Sequence, residues 1–332
     1  MFHIKIRFWT AHHNMFLYGL FYYCKKNKLK FDVEYADSVP YNSLILMWNN
    51  KIFFFDYADT PDLLKDPNPF DIYFKRSQLK SVVYHQKIKP LGLQVNLSYR
   101  PLHFLTYLKK HHLLDKRNRI EFLRSIDYFE FSNWSHNSMD VRNYPSKLSV
   151  DNKRVIFFTR LWNPANHVSI EEKERRERQN IFRINACRVL KENFENSLVG
   201  IYPDDFSSSL CPELLLNKSQ VSKKSYFKSL TASAIGIADD GLKDTPGWKL
   251  GEYCLFGKAI ISTPVNVEVP GFQEDKNYLK LSDRLSFNEI PEKVNLLLSD
   301  SNLERMALNN MSWAKQHLHP SNYLVNLIPD LA

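Results

Sequence analysis

The chain has 332 residues, 44% apolar and 14% aromatic, with a net charge of +9. That length exceeds what one hydrophobic core usually supports, and the apolar content excludes general disorder, so two packed domains are expected. The four widely spaced cysteines form no C-x-x-C pair, which argues against a zinc site or a disulfide scaffold.

The longest apolar stretch, residues 16–24, falls short of the ~20 residues that cross a bilayer, and no signal-peptide layout opens the sequence. A cytoplasmic protein is expected. All of the excess charge lies in the first half: residues 1–150 carry 22 Lys+Arg against 13 Asp+Glu, while 151–332 carry 23 of each. It gathers at Lys25, Lys26, Lys28 and Lys30, and at Lys109, Lys110, Lys116, Arg117 and Arg119 with His111 and His112. Such a patch suits an anionic membrane surface or a phosphorylated substrate. Zinc fingers, RNA-binding sheet signatures and continuous basic helices are missing, so nucleic acid is the weakest partner class.

The first half reads as α/β. A strand at residues 4–9 precedes an apolar helix at 14–27, and short apolar runs follow at 29–33, 44–48, 52–55 and 72–74. Helical patterns at 102–114 and 119–126 close a domain spanning 1–130, and the Ser- and Asn-rich stretch 131–150 reads as a linker.

The second domain, 151–316, alternates strand and helix. Residues 155–158 form a continuous apolar run, as in a parallel strand covered on both faces. Ser169 and Glu172 make a capping box for the next helix. Strands at 198–202, 234–238 and 259–262 alternate with helices at 223–231 and 246–256, and two helices follow at 287–298 and 303–316. This order predicts a doubly wound sheet with a ligand crevice at the carboxyl ends of its strands. Residues 317–332 form a tail that can return to the first domain.

Six of the nine glycines fall between 236 and 271, a window that includes Ala238-Asp-Asp-Gly-Leu-Lys-Asp244 and its continuation Thr-Pro-Gly-Trp-Lys-Leu-Gly-Glu252. Thr245 is a good N-cap, Pro246 suits the first helical position, and Gly257 suits the residue past the end. The free amides of that helix would attract phosphate, with Gly247 admitting it close to the backbone. Glu252, about two turns in, leans toward the helix start and can reach sugar hydroxyls. A nucleoside diphosphate matches this pair of features.

The run from Thr245 through Gly257-Lys-Ala-Ile-Ile-Ser262 resembles the donor-binding segment of glycosyltransferases with the GT-B fold. That resemblance covers chiefly residues 151–285 and implies two Rossmann-like domains facing across a cleft, the second holding a nucleotide sugar. It implies that Glu252 binds the ribose and that Thr245, Pro246, Gly247, Trp248 and Lys249 line the donor. Asp244 stands where many retaining members have a Glu, eight positions before the second. Phe157-Phe-Thr-Arg-Leu-Trp162 is similar to the segment whose basic residue contacts the diphosphate, which marks Arg160, with Lys218, Lys223 or Lys224 as a second cation.

A guanidinium and a helix start can stabilise a departing diphosphate without a metal, and no Asp-x-Asp is present to hold one. Metal independence is therefore expected, with no cofactor beyond the nucleotide-sugar co-substrate. In the first domain His12 and His13 follow the first strand, and either suits a general base for the acceptor hydroxyl. Asp56 and Asp71 are rival bases, and the sequence does not choose among them. Asp71, Lys75 and Arg76 are candidate acceptor contacts, the last two for an acceptor phosphate.

The expected activity is sugar transfer from a nucleotide-diphosphate sugar to a glycan or lipid-linked glycan. Assembly of polysaccharide or lipopolysaccharide at the inner face of a membrane would use the basic first domain. The alternative is a non-catalytic cleft protein that binds a phosphorylated or glycan ligand.

Overall fold

A computed structural model describes residues 1–99, 119, 120, 123, 139–299 and 301–331. The helix expected at 102–114, the basic cluster at 109–117 and residues 131–138 of the linker lie outside the described residues. Of the helix expected at 119–126, only Arg119, Ile120 and Leu123 are described, all helical.

The first unit comprises β1 (Phe2–Ile6), α1 (Asn14–Lys26), β2 (Phe31–Tyr35), β3 (Ser43–Trp48), β4 (Lys51–Asp56), β5 (Ile72–Lys75) and β6 (Ile88–Pro90). Its sheet runs β2-β1-β3-β4-β5-β6. β3 is antiparallel to both neighbours, whereas the other pairs are parallel. The sheet is thus mixed, because a tight hairpin joins β3 to β4. Asn49 and Asn50 take positive φ (52° and 60°) between the partners Trp48 and Lys51, a two-residue turn that asparagine tolerates. Alternating residues of β4 feed opposite faces: Phe53 and Phe55 join the core with α1, while Phe54 packs with Phe70, Tyr73 and Ile88.

β7 (Leu97–Ser98) and β8 (Met139–Asp140) form a small parallel pair. The linker expected at 131–150 therefore contains a strand, paired with residues 97–98.

The second unit comprises β9 (Val155–Thr159), α2 (Ile170–Asn193), β10 (Leu198–Ile201), α3 (Asp205–Leu210), α4 (Lys223–Thr231), β11 (Ile235–Ala238), α5 (Trp248–Leu255), β12 (Ala259–Ser262), β13 (Leu279–Lys280), α6 (Ile290–Leu298), α7 (Asn302–His317) and α8 (Pro320–Leu327). Its strands run β10-β9-β11-β12-β13, every pair parallel. All residues of β9, β11 and β12 are buried, which is why they read as unbroken apolar runs. Gly236 of β11 lets the Tyr253 ring lie against the strand; a Cβ there would stand 2.5 Å from that ring. The capping box expected at Ser169 does not form. Ser169 makes no side-chain cap bond, and Glu172 turns instead to Arg175 and Arg176.

The α/β layout of two units thus holds, with the first sheet mixed. α8 packs on α1 of the first unit: Tyr323 lies 3.1 Å from the Cβ position of Gly19, and Tyr23 Oη donates to Leu331 O at 3.0 Å. Lys51 pairs with Asp330 beside it.

Candidate functional site

The loop after β11 sets where α5 begins. Lys243 and Asp244 take positive φ (50° and 64°), Gly241 N–H donates to Thr245 O at 2.5 Å, and Asp240 bridges Pro246 in antiparallel fashion. Thr245 and Pro246 are thereby held extended. The helix start expected at Thr245-Pro246 is corrected accordingly: Gly247 is the N-cap and Trp248 the first helical residue. No side chain caps this end, and no atom lies within 4 Å of the Cβ position of Gly247. The start of α5 is therefore open beside Gly247, and an anion is favoured at such an uncapped helix end.

Glu252, 5% exposed, is the fifth residue of α5, just over one turn along it. Two residues of α4 aim it: Tyr226 Oη donates to Oε2 at 2.8 Å, and the Lys223 ammonium pairs with Oε1. Lys223 also lies over the Tyr226 and Phe227 rings at 4.7 and 4.9 Å. Burial and the Glu252 charge push the Tyr226 hydroxyl well above its ordinary pKa, so it remains a donor.

Arg160 follows β9 and is exposed, its guanidinium stacked 4.5 Å from the Tyr202 ring centre. Its carbonyl accepts from Arg183 Nη1 at 2.5 Å, which fixes the backbone there. Lys218 and Lys224 are exposed and make no ion pair with described residues; Lys223 is the lysine of that group brought to Glu252. Lys249 turns inward to Asp239 (3.4 Å) across the Phe157 ring (4.9 Å). Burial lowers its pKa. Asp239 also holds Arg183 at 2.6 Å; burial opposes its ionisation, but these two cations keep its carboxyl below the ordinary value. Asp244 is drawn to Arg284 Nη1 at 2.5 Å and stands 4.0 Å from Arg175 Nε.

The first unit meets α5 through residues that follow its own strands. His12 lies edge-on to Trp248 with ring centres 5.5 Å apart. Arg76 Nη2 donates to Pro246 O at 3.5 Å and Nη1 pairs with Asp59 at 2.6 Å, while Thr245 Oγ1 donates to the same Asp59 at 3.4 Å. Burial, then the Arg76 charge, lowers the pKa of His12 to about 3, so the ring is neutral at pH 7. Its Nδ1 is sealed from solvent without a hydrogen-bond partner.

Four of the expected site residues are engaged elsewhere. His13 is 1% exposed; Thr10 N–H donates to Nδ1 (3.0 Å), so Nε2 carries the proton and donates to Ser43 O (3.1 Å). Both nitrogens are occupied, leaving no lone pair for an acceptor hydroxyl. Asp56 is wholly buried, accepting from Tyr73 Oη (2.6 Å), Lys75 Nζ (3.1 Å) and Ala58 N–H (2.9 Å). It is a structural anchor, and Lys75, equally buried, is its counter-ion. Asp71 precedes β5 and accepts from Ile52 N–H at 2.7 Å, at the opposite end of the strands from Asp56 and Lys75.

A cavity of about 370 Å³ lies elsewhere, between β5–β6 and α7–α8, lined by Phe74, Leu91, Leu93, Trp313, Leu318 and Tyr323 among others. None of the expected site residues borders it. Asp59 and Tyr226 are the site residues the sequence did not single out. Asp59 could have been sought in Asp56-Tyr-Ala-Asp59, at the carboxyl end of a strand.

No protein-family model matches the chain, and no curated protein matches it. Solved structures that resemble it include glycosyltransferases. One is the C-terminal domain of a glycosyl transferase group 1 family protein, LpcC, from Francisella tularensis: 16% identity over 51% of this chain and 92% of that one, TM-score 0.35. A glycosyltransferase from Rickettsia africae gives 10% identity over 97% and 80%, TM-score 0.43. Anabaena HepE in complex with UDP and glucose gives 12% over 80% and 64%, TM-score 0.39. At these levels no residue's role passes from them to this chain.

Proposed function

We propose that the protein is a glycosyltransferase that takes a sugar from a nucleotide-diphosphate donor and passes it to a glycan or lipid-linked glycan. The observation that carries this is the pairing of an α5 start that no side chain caps and that is open beside Gly247 with a buried carboxylate, Glu252, just over one turn along the same helix. The first amides of α5 take the diphosphate, and Glu252 takes the ribose diol.

Lys223 already neutralises Glu252, so a neutral diol can join the pair without a second charge being buried. Arg160, free to leave the Tyr202 ring, follows the negative charge that grows on the departing diphosphate, and with the helix start it stabilises that charge without a metal. His12 is the remaining histidine beside α5 and serves as base for the acceptor hydroxyl. In the empty cleft burial and Arg76 hold it neutral; a bound diphosphate offsets the Arg76 charge and raises its basicity. The basic first unit suits a lipid-linked acceptor at an anionic membrane surface.

Isothermal titration with UDP, GDP and dTDP tests the donor site. One should bind, and Glu252→Ala should weaken it by about tenfold or more, the loss of a charge-assisted contact. If none binds, or the variant binds as well as the parent, the assignment fails.

A further inference from the structure

Arg76 carries more than a contact between the units. It is 5% exposed, yet it stands at the mouth where α5 begins, its two terminal nitrogens turned to Asp59 and to Pro246 O. Asp59 is its opposite in setting: a side chain 26% exposed, on the loop after β4, within reach of displacement. Two groups reach this one carboxylate: Arg76 at 2.6 Å, and the Thr245 hydroxyl, just ahead of the α5 amides, at 3.4 Å. Beside them His12 Nδ1 is sealed and unpartnered. A carboxylate paired with one guanidinium nitrogen ahead of a helix start has the chemistry of a phosphate in the same place.

We propose that Arg76 is a diphosphate-binding residue of the cleft and that Asp59 is a resident anion, holding its guanidinium until a diphosphate takes over. This rests on the donor site described above and adds to it a cation from the facing unit. On binding, Arg76 exchanges one anionic partner for another, and the released Asp59 carboxylate turns to solvent. No covalent bond changes. The cost of freeing Asp59 is then subtracted from donor affinity, so the parent protein binds its donor less tightly than its cations alone would allow.

Inorganic pyrophosphate is the probe, because it carries no ribose and its binding does not depend on the role of Glu252. Titrations at low ionic strength compare the parent with Asp59→Asn, Arg76→Ala and Arg76→Lys, with thermal melts to establish folding. Asp59→Asn is expected to tighten pyrophosphate by about tenfold, and Arg76→Ala to weaken it by about tenfold or more, one charge-assisted contact each. Arg76→Lys should fall between parent and Arg76→Ala. Asp62→Asn is the control: Asp62 is exposed and bonded to Thr60, so it removes a nearby charge that does not touch Arg76 and should shift affinity less than twofold.

Pyrophosphate that binds Asp59→Asn but not the parent also supports the proposal. It is overturned if Asp59→Asn binds no more tightly than the parent, if Asp62→Asn tightens binding equally, or if folded Arg76→Ala binds as the parent does. If Arg76→Ala does not fold, the two aspartate variants decide. Failure of the donor site itself shows separately, as UDP binding that ignores Glu252→Ala.

Discussion

Replacing His13 by glutamine should flatten the acid side of the stability profile. In the folded protein burial, then the neighbouring His12, lowers the His13 pKa from 6.5 to about 3, against a smaller opposing effect of its bond to Ser43. The unfolded chain takes up a proton below pH 6.5 that the folded chain refuses, so stability is present above that pH and is lost as pH falls toward 3. The slope is about 1.4 kcal/mol per pH unit within the window, which makes the loss between pH 7 and pH 5 about 2 kcal/mol for this residue. Glutamine can accept from Thr10 N–H and donate to Ser43 O but cannot titrate. Urea unfolding at pH 7 and pH 5 measures the difference. The variant should start about 1 kcal/mol less stable at pH 7 through poorer hydrogen bonds, and the two proteins should converge or cross by pH 5. His12 shifts in the same direction and remains in both, so it cancels from the comparison. Stabilities that decline in parallel would refute the neutral, doubly bonded state of His13.

Asp56→Asn should cost about 3–5 kcal/mol by leaving the Lys75 ammonium buried without its counter-ion, seen as a lower melting temperature. Gly236→Ala should cost about 1–3 kcal/mol, because the new methyl meets the Tyr253 ring whose hydroxyl donates to Ile237 O; calorimetry measures it. Lys258 is 1% exposed, and burial lowers its pKa to about 8. Its burial cost is therefore present below pH 8 and fades as pH rises to 10.5. Lys258→Met should be more stable than the parent at pH 7, and that advantage should shrink by up to about 3 kcal/mol by pH 10.5, followed by denaturant titration.

The second sheet was legible because its strands are covered on both faces: Val155–Thr159, Ile235–Ala238 and Ala259–Ser262 have no exposed side to interrupt the apolar run. The antiparallel β3–β4 hairpin was less so. Its signal, Asn49-Asn50, is turn chemistry between two runs that were read singly. Glu252 could be placed because its distance from the helix start is local. His12 and His13 could not be told apart, since the difference is made by the Ser43 carbonyl thirty residues away. The link from Arg76 to Asp59 and Pro246 likewise joins strand ends whose separation along the chain carries no period to detect.

The packing of α8 and residues 329–331 onto α1 ties the order of folding to the order of synthesis. Tyr323, Leu324 and Leu331 are buried, and Tyr323 and Leu331 reach Gly19 and Tyr23, residues that leave the ribosome some three hundred peptide bonds earlier. Until residues 320–331 have been synthesised, the nascent first unit must hold part of an apolar helix face uncovered.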